Sequence, residues 1–482
     1  TRTTRTIGTT RTTRTTRTIG TTRTTRTTTI HEMRQKFVMG LVGGIFIAGI
    51  LSILDAEAAK RSKGPLEHQE PIYQSHLSDY FTDTQIDRGK RYHLTRYWLF
   101  FLKTGVIISA LIFFLGIGGH DIMEGIALWI TGGRHWPAIA LASVILVLQL
   151  WILTFPFTVY GGYVHEKTYG LLTQGFSGWL LDYLKGRAIN VALVVPVSVG
   201  LFIVIRRFPS AWWLFAGGGS GALLAVFVFL APVIIDPLFY RFTPIENTAV
   251  RAVLLKLADR AGLDVNDVLE MNASTKMSRV NAYVTGLGRT KRIVVYDTLL
   301  HESTPEEVGV VFAHELGHVR RHHLWKGIAL GAVGSFAAFF CISLLLRAVT
   351  ARGIFGLSTP ASFGGLVVIF FAILLLDLVS LPLQTFVSRR FEREADRESL
   401  ILTGDPKTFI KVEKQLAVKN LADVHPHPVF VWVFYTHPPV MERIRMAEVY
   451  ERRPEHRTGE QEDKKMRGKR QGTRGKKREQ GN

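Results

Sequence analysis

Two histidines four residues apart bracket a glutamate in the run His314-Glu315-Leu316-Gly317-His318. On a helix that spacing puts both imidazoles on one face, where they can reach a single zinc ion, and sets the glutamate beside the water such an ion activates. The chemistry expected of this HExxH arrangement is metal-assisted hydrolysis of a peptide bond. A catalytic zinc takes three protein ligands and keeps a fourth position for water, so another donor is needed. A metzincin-type continuation would require Gly in place of Arg321 and His in place of Leu324, and it is absent. The candidate is Glu392, in the run Ser388-Arg389-Arg390-Phe391-Glu392-Arg393-Glu394-Ala395-Asp396. Asp396, one turn later on the same helical face, is placed to orient a ligating histidine, and Glu394 faces elsewhere. The expected site is therefore one Zn2+ per chain held by His314, His318 and Glu392, with Glu315 as the catalytic base and Asp396 supporting a ligand.

The helix that must carry the histidine pair announces its own start. Thr304 is a candidate N-cap, Pro305 suits the first helical position, and Glu307 completes a capping box. Ahead of it, the pattern from Asn247 to Ala261 reads as a helix and Arg292-Ile293-Val294-Val295-Tyr296 as a strand. The third-ligand run reads as a helix that follows the last of a series of apolar stretches.

Those stretches decide the class of the molecule. The chain has 482 residues, 47% hydrophobic and 20% charged, with a mean hydropathy of +0.16. That excludes disorder for the bulk of the chain and is high for a soluble protein. Apolar stretches fall at about 97–118, 138–160, 188–206, 211–235, 325–347 and 364–387, each long enough to cross a bilayer as a helix. Tyr97, Trp98, Trp136, Trp151, Trp212 and Trp213 lie near their ends, where amphipathic rings favour the interface. The single cysteine, Cys341, excludes intramolecular disulfides and Cys-rich metal centres. The net charge of +20 is concentrated at the ends. Residues 1–32 and 451–482 together hold twelve of it, so a basic nucleic-acid surface is not expected and anionic lipid is the more natural partner of the tail.

Residues 1–32 are a low-complexity Thr/Arg segment expected to be disordered, and upstream of the first methionine, Met33. The segment 33–58 fits a cleaved signal peptide and a first membrane helix equally. The rest divides into a juxtamembrane segment at 59–96, four membrane helices over 97–235, a metalloprotease region over 236–324, two further membrane helices over 325–387, a third-ligand and substrate segment over 388–450, and a basic disordered tail over 451–482. A retained first helix places the catalytic region, with its eleven Lys and Arg, in the cytoplasm by the positive-inside rule; a cleaved one conflicts with that placement.

The chain resembles the type I CAAX prenyl endopeptidases, membrane zinc metalloproteases, and more distantly the heat-shock membrane proteases. The resemblance spans roughly residues 70–450. It rests on the HExxH run, the Ser-Arg-x-x-Glu-x-x-Ala-Asp pattern at 388–396, Asn281-Ala282-Tyr283, Thr436-His437-Pro438-Pro439 with Glu442-Arg443, and Asp236-Pro237-Leu238-Phe239 with Phe242-Thr243-Pro244. It implies a mainly α, polytopic membrane protein with six or seven transmembrane helices around a chamber, and a gluzincin-type metalloprotease domain carrying a small β-sheet. It also implies that Asn281 lies on an edge strand that pairs with extended substrate, and that His437 contacts substrate and stabilises an oxyanion. The implied partners are a peptide or protein substrate, prenylated or membrane-inserted, and the lipid bilayer, with no nucleic acid. Removal of a prenylated C-terminal peptide and membrane-protein quality control are both compatible activities. The expected location is the inner or plasma membrane for a bacterial source and the endoplasmic reticulum for a eukaryotic one. His322, His323, His425 and His427 are expected to face solvent. Two other classes make different demands. A transporter would carry ionisable groups in several spans, where few such as Lys103 and Asp377 occur, and a scaffold has no use for Glu315 or Glu392.

Overall fold

The computed structural model describes residues 77–263, 267–285 and 292–452. The expectations for residues 1–58 and for the basic tail beyond Arg452 lie outside the described residues. Within them, helix α1 (Asp83–Gly116) opens on a capping box between Thr82 and Gln85. The span read at 97–118 is the second half of this helix. A short α2 (Gly119–Ile130) follows. Next is α3 (His135–Thr168), which contains Pro156 and, just after it, a wide π turn over Tyr160–Val164. Proline cannot donate its backbone amide and the wide turn inserts one extra residue, which together re-aim His165 and Glu166 at the helix end. Helices α4 (Phe176–Arg207) and α5 (Trp212–Leu230) complete the first membrane group.

The polar region then folds as a small mixed sheet with helices on one side. Strands β1 (Phe242–Pro244), β2 (Asp267–Met271), β3 (Ala282–Thr285) and β4 (Arg292–Tyr296) lie in the order β1-β2-β4-β3. Strand β2 runs parallel to β4, and the other two pairs are antiparallel. Strand β3 is thus an edge. Helix α6 (Thr248–Arg260) sits between β1 and β2 and is capped by Asn247. After β4 come the short α7 (Asp297–Glu302) and the helix of the HExxH run, α8 (Pro305–Arg320), whose capping box forms as the sequence foretells: Thr304 Oγ1 accepts from Glu307 N at 3.3 Å and Thr304 N donates to Glu307 Oε2 at 3.0 Å. One face of α8, through Val308, Phe312, Ala313 and Leu316, is fully buried against Leu254, Ile293 and Val295 of α6 and β4.

Helix α9 (His323–Ala351) returns through the membrane, and α10 (Phe363–Thr403) is a single helix of 41 residues. At 1.5 Å per residue it is about 60 Å long, twice the hydrocarbon thickness. Its first half is the last apolar span and its second half carries Glu392 and Asp396, so one continuous rod joins what the sequence reads as a span and a separate helix. Helices α11 (Pro406–Lys419), α12 (Pro428–Phe434) and α13 (Val440–Glu451) close over it. Six helices of the described residues are long and apolar enough to cross a membrane. They pack through Leu115, Ile139, Phe202, Trp212, Leu346 and Phe363, while Ile152, Val333 and Val379 are exposed on the outside, as lipid-facing positions require.

Candidate metal centre

Helices α8 and α10 approach closely at one point. A Cβ on Gly317 would lie 2.8 Å from the Ala395 Cα and 2.9 Å from its carbonyl oxygen, so only glycine fits there. Glu398 fixes the same crossing by pairing with Arg320 at 2.7 Å and with Arg321 at 2.5 Å. Glu392, one turn before Ala395, is thereby brought beside the two histidines of α8.

His314 Nε2 lies 3.1 Å from His318 Nε2 and 3.1 Å from Glu392 Oε2, and His318 Nε2 lies 3.5 Å from Glu392 Oε1. One ligand atom from each of the three residues falls within 4.8 Å of the other two. Glu392 Oε2 is buried and accepts no well-formed hydrogen bond among the described residues. Two imidazole nitrogens and an orphaned carboxylate oxygen aimed at one point are the donor set of a borderline-soft divalent cation such as zinc, and the residues fit that ion.

The support around the ligands is built in depth. Asp396, fully buried, accepts from His314 Nδ1 at 2.7 Å. That fixes the proton on Nδ1 and leaves the Nε2 lone pair free to bind a metal. Arg443, on α13, holds both oxygens of Asp396, at 2.5 and 2.9 Å, and its other Nη contacts Glu413 of α11 at 2.6 Å. Burial alone would depress the His314 pKa, but Asp396 and Glu392 outweigh it and push it up to about 10. The pocket therefore carries a field that favours a cation. Burial raises the Glu315 pKa, although both neighbouring imidazoles oppose it. Glu413 is pushed up to about 7 by burial, despite the Arg443 guanidinium.

His437 also reaches the centre, with Nε2 3.2 Å from Glu392 Oε2 and Nδ1 3.0 Å from the Thr436 hydroxyl. Its side chain is 57% exposed and lines the adjoining cavity, and its partial desolvation by the cavity wall lowers its pKa. The segment that presents it is tied to α10: Arg389 donates to the carbonyls of Val431 and Tyr435 at 2.7 and 2.6 Å, and Thr385 Oγ1 donates to Trp432 O at 2.6 Å. Asn281 stands at the start of the edge strand, with its carbonyl taken by Tyr296 N at 3.1 Å and its Oδ1 accepting from Ala282 N at 2.9 Å. A cavity of about 740 Å³ runs along this wall, lined among others by Asn281, Tyr296, Tyr435, His437 and Arg443. A second, of about 580 Å³, adjoins Glu315, His318 and Val284.

All seven residues expected from the sequence thus gather around one centre or the cavities beside it. For three neighbouring groups that reading assigns no part in the site, although Arg443 stands in one of its motifs. His323, expected in solvent, is buried, stacked 4.3 Å from the Phe391 ring, with Nδ1 2.9 Å from His318 Nδ1 and Nε2 3.1 Å from Glu394 Oε2. Glu394 is not one of the three converging donors and pairs with His323 instead. Glu413 and Arg443 are the others; a charged residue in the buried register of an amphipathic helix, as Glu413 is, was the available signal. His322, His425 and His427 are exposed as expected.

Comparison with known proteins follows the same division of the chain. The model of peptidase family M48 matches residues 244–451, and that of the CAAX prenyl protease N-terminal region, five membrane helices, matches residues 66–241. The chain is 30% identical over 389 residues to the uncharacterized metalloprotease YhfN of Bacillus subtilis, covering 80% of this chain and 90% of that protein. It is 27% identical to a CAAX prenyl protease 1 homolog of Arabidopsis thaliana, over 78% of this chain and 90% of the relative. Its fold is that of the crystal structure of S. mikatae Ste24p, with a TM-score of 0.73 at 21% identity, covering 85% of this chain and 99% of the other.

Proposed function

This chain belongs to peptidase family M48 and is a multi-pass membrane metalloprotease acting on peptide or protein substrates, and on that premise we propose how its residues divide the reaction. The metal is zinc, one per chain, with His314, His318 and Glu392 as its ligands. When bound there, zinc lowers the pKa of water towards about 7 and polarises the scissile carbonyl. Glu315 takes the proton of the attacking water and returns it to the leaving amine; burial raises its proton affinity, which suits a group that must do both. Asp396 holds the His314 ring in the ligating tautomer. His437 donates a hydrogen bond to the oxygen on which charge develops in the transition state.

The substrate lies extended along the edge of β3, which pairs with no second strand among the described residues. Because the Asn281 carbonyl points inward to Tyr296, the Ala282 carbonyl and the backbone groups of Val284 point outward by alternation and are the ones to pair with it, while the Ala282 amide is held by Asn281 Oδ1. Asn281 holds the start of that edge through its bond to Ala282 N. A prenylated C-terminal peptide is the proposed substrate, supported by relatives named CAAX prenyl protease 1 and by the second cavity, whose wall of Leu263, Val284, Val319, Leu324 and Trp325 suits a lipid chain. The observation that carries the assignment is the convergence of three ligand atoms beside a half-buried glutamate. It is tested by metal analysis and cleavage of peptides with and without a prenyl group. Glu315→Gln is expected to keep its zinc and lose turnover, and His314→Ala to lose both; cleavage by Glu315→Gln at the wild-type rate would reject the role.

A further inference from the structure

Two cations stand inside the membrane-spanning helices, away from the metal centre, and no carboxylate of those helices meets them. Lys103 lies on α1 within the apolar stretch 97–118, and Arg187 lies on α4 immediately before the stretch 188–206. The Arg187 guanidinium sits over two rings, 5.1 Å from that of Trp151 on α3 and 4.9 Å from that of Tyr183 one turn earlier on its own helix. Its Nε is buried and finds no acceptor among the described residues. Lys103 is near enough for the two charges to repel each other. The acids of the three helices are engaged or distant. Glu166 is held by Arg279 at 2.8 Å, and Asp182 by Lys276 at 2.6 Å. Asp87, the nearer of the two acids of α1, is about 24 Å along the axis from Lys103. On α10, which packs against α1, Asp377 accepts from Gln384 at 3.2 Å. Contact with aromatic faces offsets only part of the cost of withdrawing cations from water, so this pair calls for an anion.

We propose that Arg187 and Lys103 bind the phosphate of an anionic glycerophospholipid on the wall formed by α1, α3 and α4, on the catalytic side of the bilayer. The depth of the pair points to a headgroup. Tyr163, Trp179 and Tyr183 follow one another with ring centroids 5.7 Å apart at each step, leading up to Arg187. Rings of this kind collect where the hydrocarbon meets water. The bond from Asp182 to Lys276 ties the same end of α4 to the segment between β2 and β3, so this is the interface nearest the metal centre. Leu148 and Leu184, one turn from Trp151 and Arg187, are exposed and give an acyl chain an apolar surface beside the charges. A guanidinium offers a phosphate its planar fork of donors, the buried Nε among them, while Lys103 reaches along its four-carbon stem as a point charge. An anionic headgroup satisfies the orphaned Nε and cancels the repulsion between the two cations. A choline headgroup brings a further cation to the same place, so the site discriminates against it.

The test uses the purified full chain, stripped of lipid in detergent, with phosphatidylglycerol or phosphatidylcholine of the same acyl chains added back. Bound lipid is counted by native mass spectrometry and the melting temperature is followed in parallel. The wild type is expected to hold one phosphatidylglycerol per chain and to bind it about tenfold more tightly than phosphatidylcholine. Lys103→Gln and Arg187→Gln should each weaken that binding about fivefold, and Arg187→Lys should keep part of it. Zinc content is the control for folding. Without lipid, Lys103→Gln should melt above the wild type, because it relieves a repulsion, and it should gain less from phosphatidylglycerol; loss of packing predicts neither. Inorganic phosphate should reproduce little of the wild-type rise in melting temperature, and protection equal to that by phosphatidylglycerol would overturn the lipid assignment. Equal binding of the two lipids by the wild type, or a preference unmoved by Lys103→Gln and Arg187→Gln, overturns the proposal.

Discussion

Gly317 and Ala395 touch backbone to backbone, and the Glu392 carboxylate reaches the histidines because they do. A methyl group on Gly317 would meet the Ala395 Cα at 2.8 Å and the Glu398 Cβ at 3.0 Å, with backbone on one side that cannot step aside. Gly317→Ala is therefore expected to force α8 and α10 apart, lowering stability by about 1–3 kcal/mol and reducing the zinc content of purified protein. Full zinc occupancy and unchanged thermal stability in that variant would show that the crossing tolerates the extra carbon.

In the proposed reaction Asp396 acts through His314, not on substrate. Asp396→Asn keeps the shape, but it weakens the hydrogen bond that orients the ring and leaves Arg443 with Glu413 in place of two carboxylate partners. Loss of such an outer carboxylate reduces metal affinity by about 10–100-fold. Competition with a chromogenic chelator measures it, and an affinity equal to that of the wild type would remove Asp396 from the metal site.

The sequence makes some of this arrangement legible and hides the rest, for a physical reason. The histidine pair, Glu392 with Asp396, and the cap at Thr304 are each encoded within a turn or two of one helix, where spacing alone determines the face. The six spans follow from length and apolarity. What local spacing does not carry is contact between distant elements. Arg443 reaches Asp396 across 47 positions, and His323 is drawn inward where the left-handed residue just before α9, His322, at φ 55°, turns the chain back towards α10. Nor does a run of polar residues after an apolar stretch reveal that both belong to one unbroken helix.

His323 is the residue whose role a variant can most clearly separate from packing. His323→Phe keeps the stack on Phe391 but offers His318 no polar partner. The expected result is a folded protein with about tenfold weaker zinc binding, read by equilibrium dialysis with melting temperature as the control. Zinc affinity at the wild-type level would reduce His323 to a packing role.

Glu307 links the start of α8 to pH. Burial acts to raise its pKa, but Lys411 at 2.6 Å and the Thr304 backbone amide outweigh it, and the folded-state value lies below the usual 4.5. A carboxyl whose pKa is depressed by folding contributes stability above about pH 4.5, and that contribution disappears as pH falls through the folded value. Glu307→Gln should thus cost about 1 kcal/mol at pH 7, and the difference from wild type should narrow as the pH is taken below 4.5. Thermal denaturation in detergent across that range checks it; a difference that does not change with pH would contradict the assignment.

The central claim is that two imidazoles on α8 and a carboxylate 74 residues beyond His318 share one ion. X-ray absorption at the zinc edge on purified protein tests it most directly. One zinc per chain with two imidazole nitrogens at about 2.0–2.1 Å and a carboxylate oxygen at about 2.0–2.2 Å, the oxygen contribution falling in Glu392→Ala, is the predicted result. Protein that retains no zinc, or a shell that lacks the two imidazoles or is indifferent to Glu392, would contradict it.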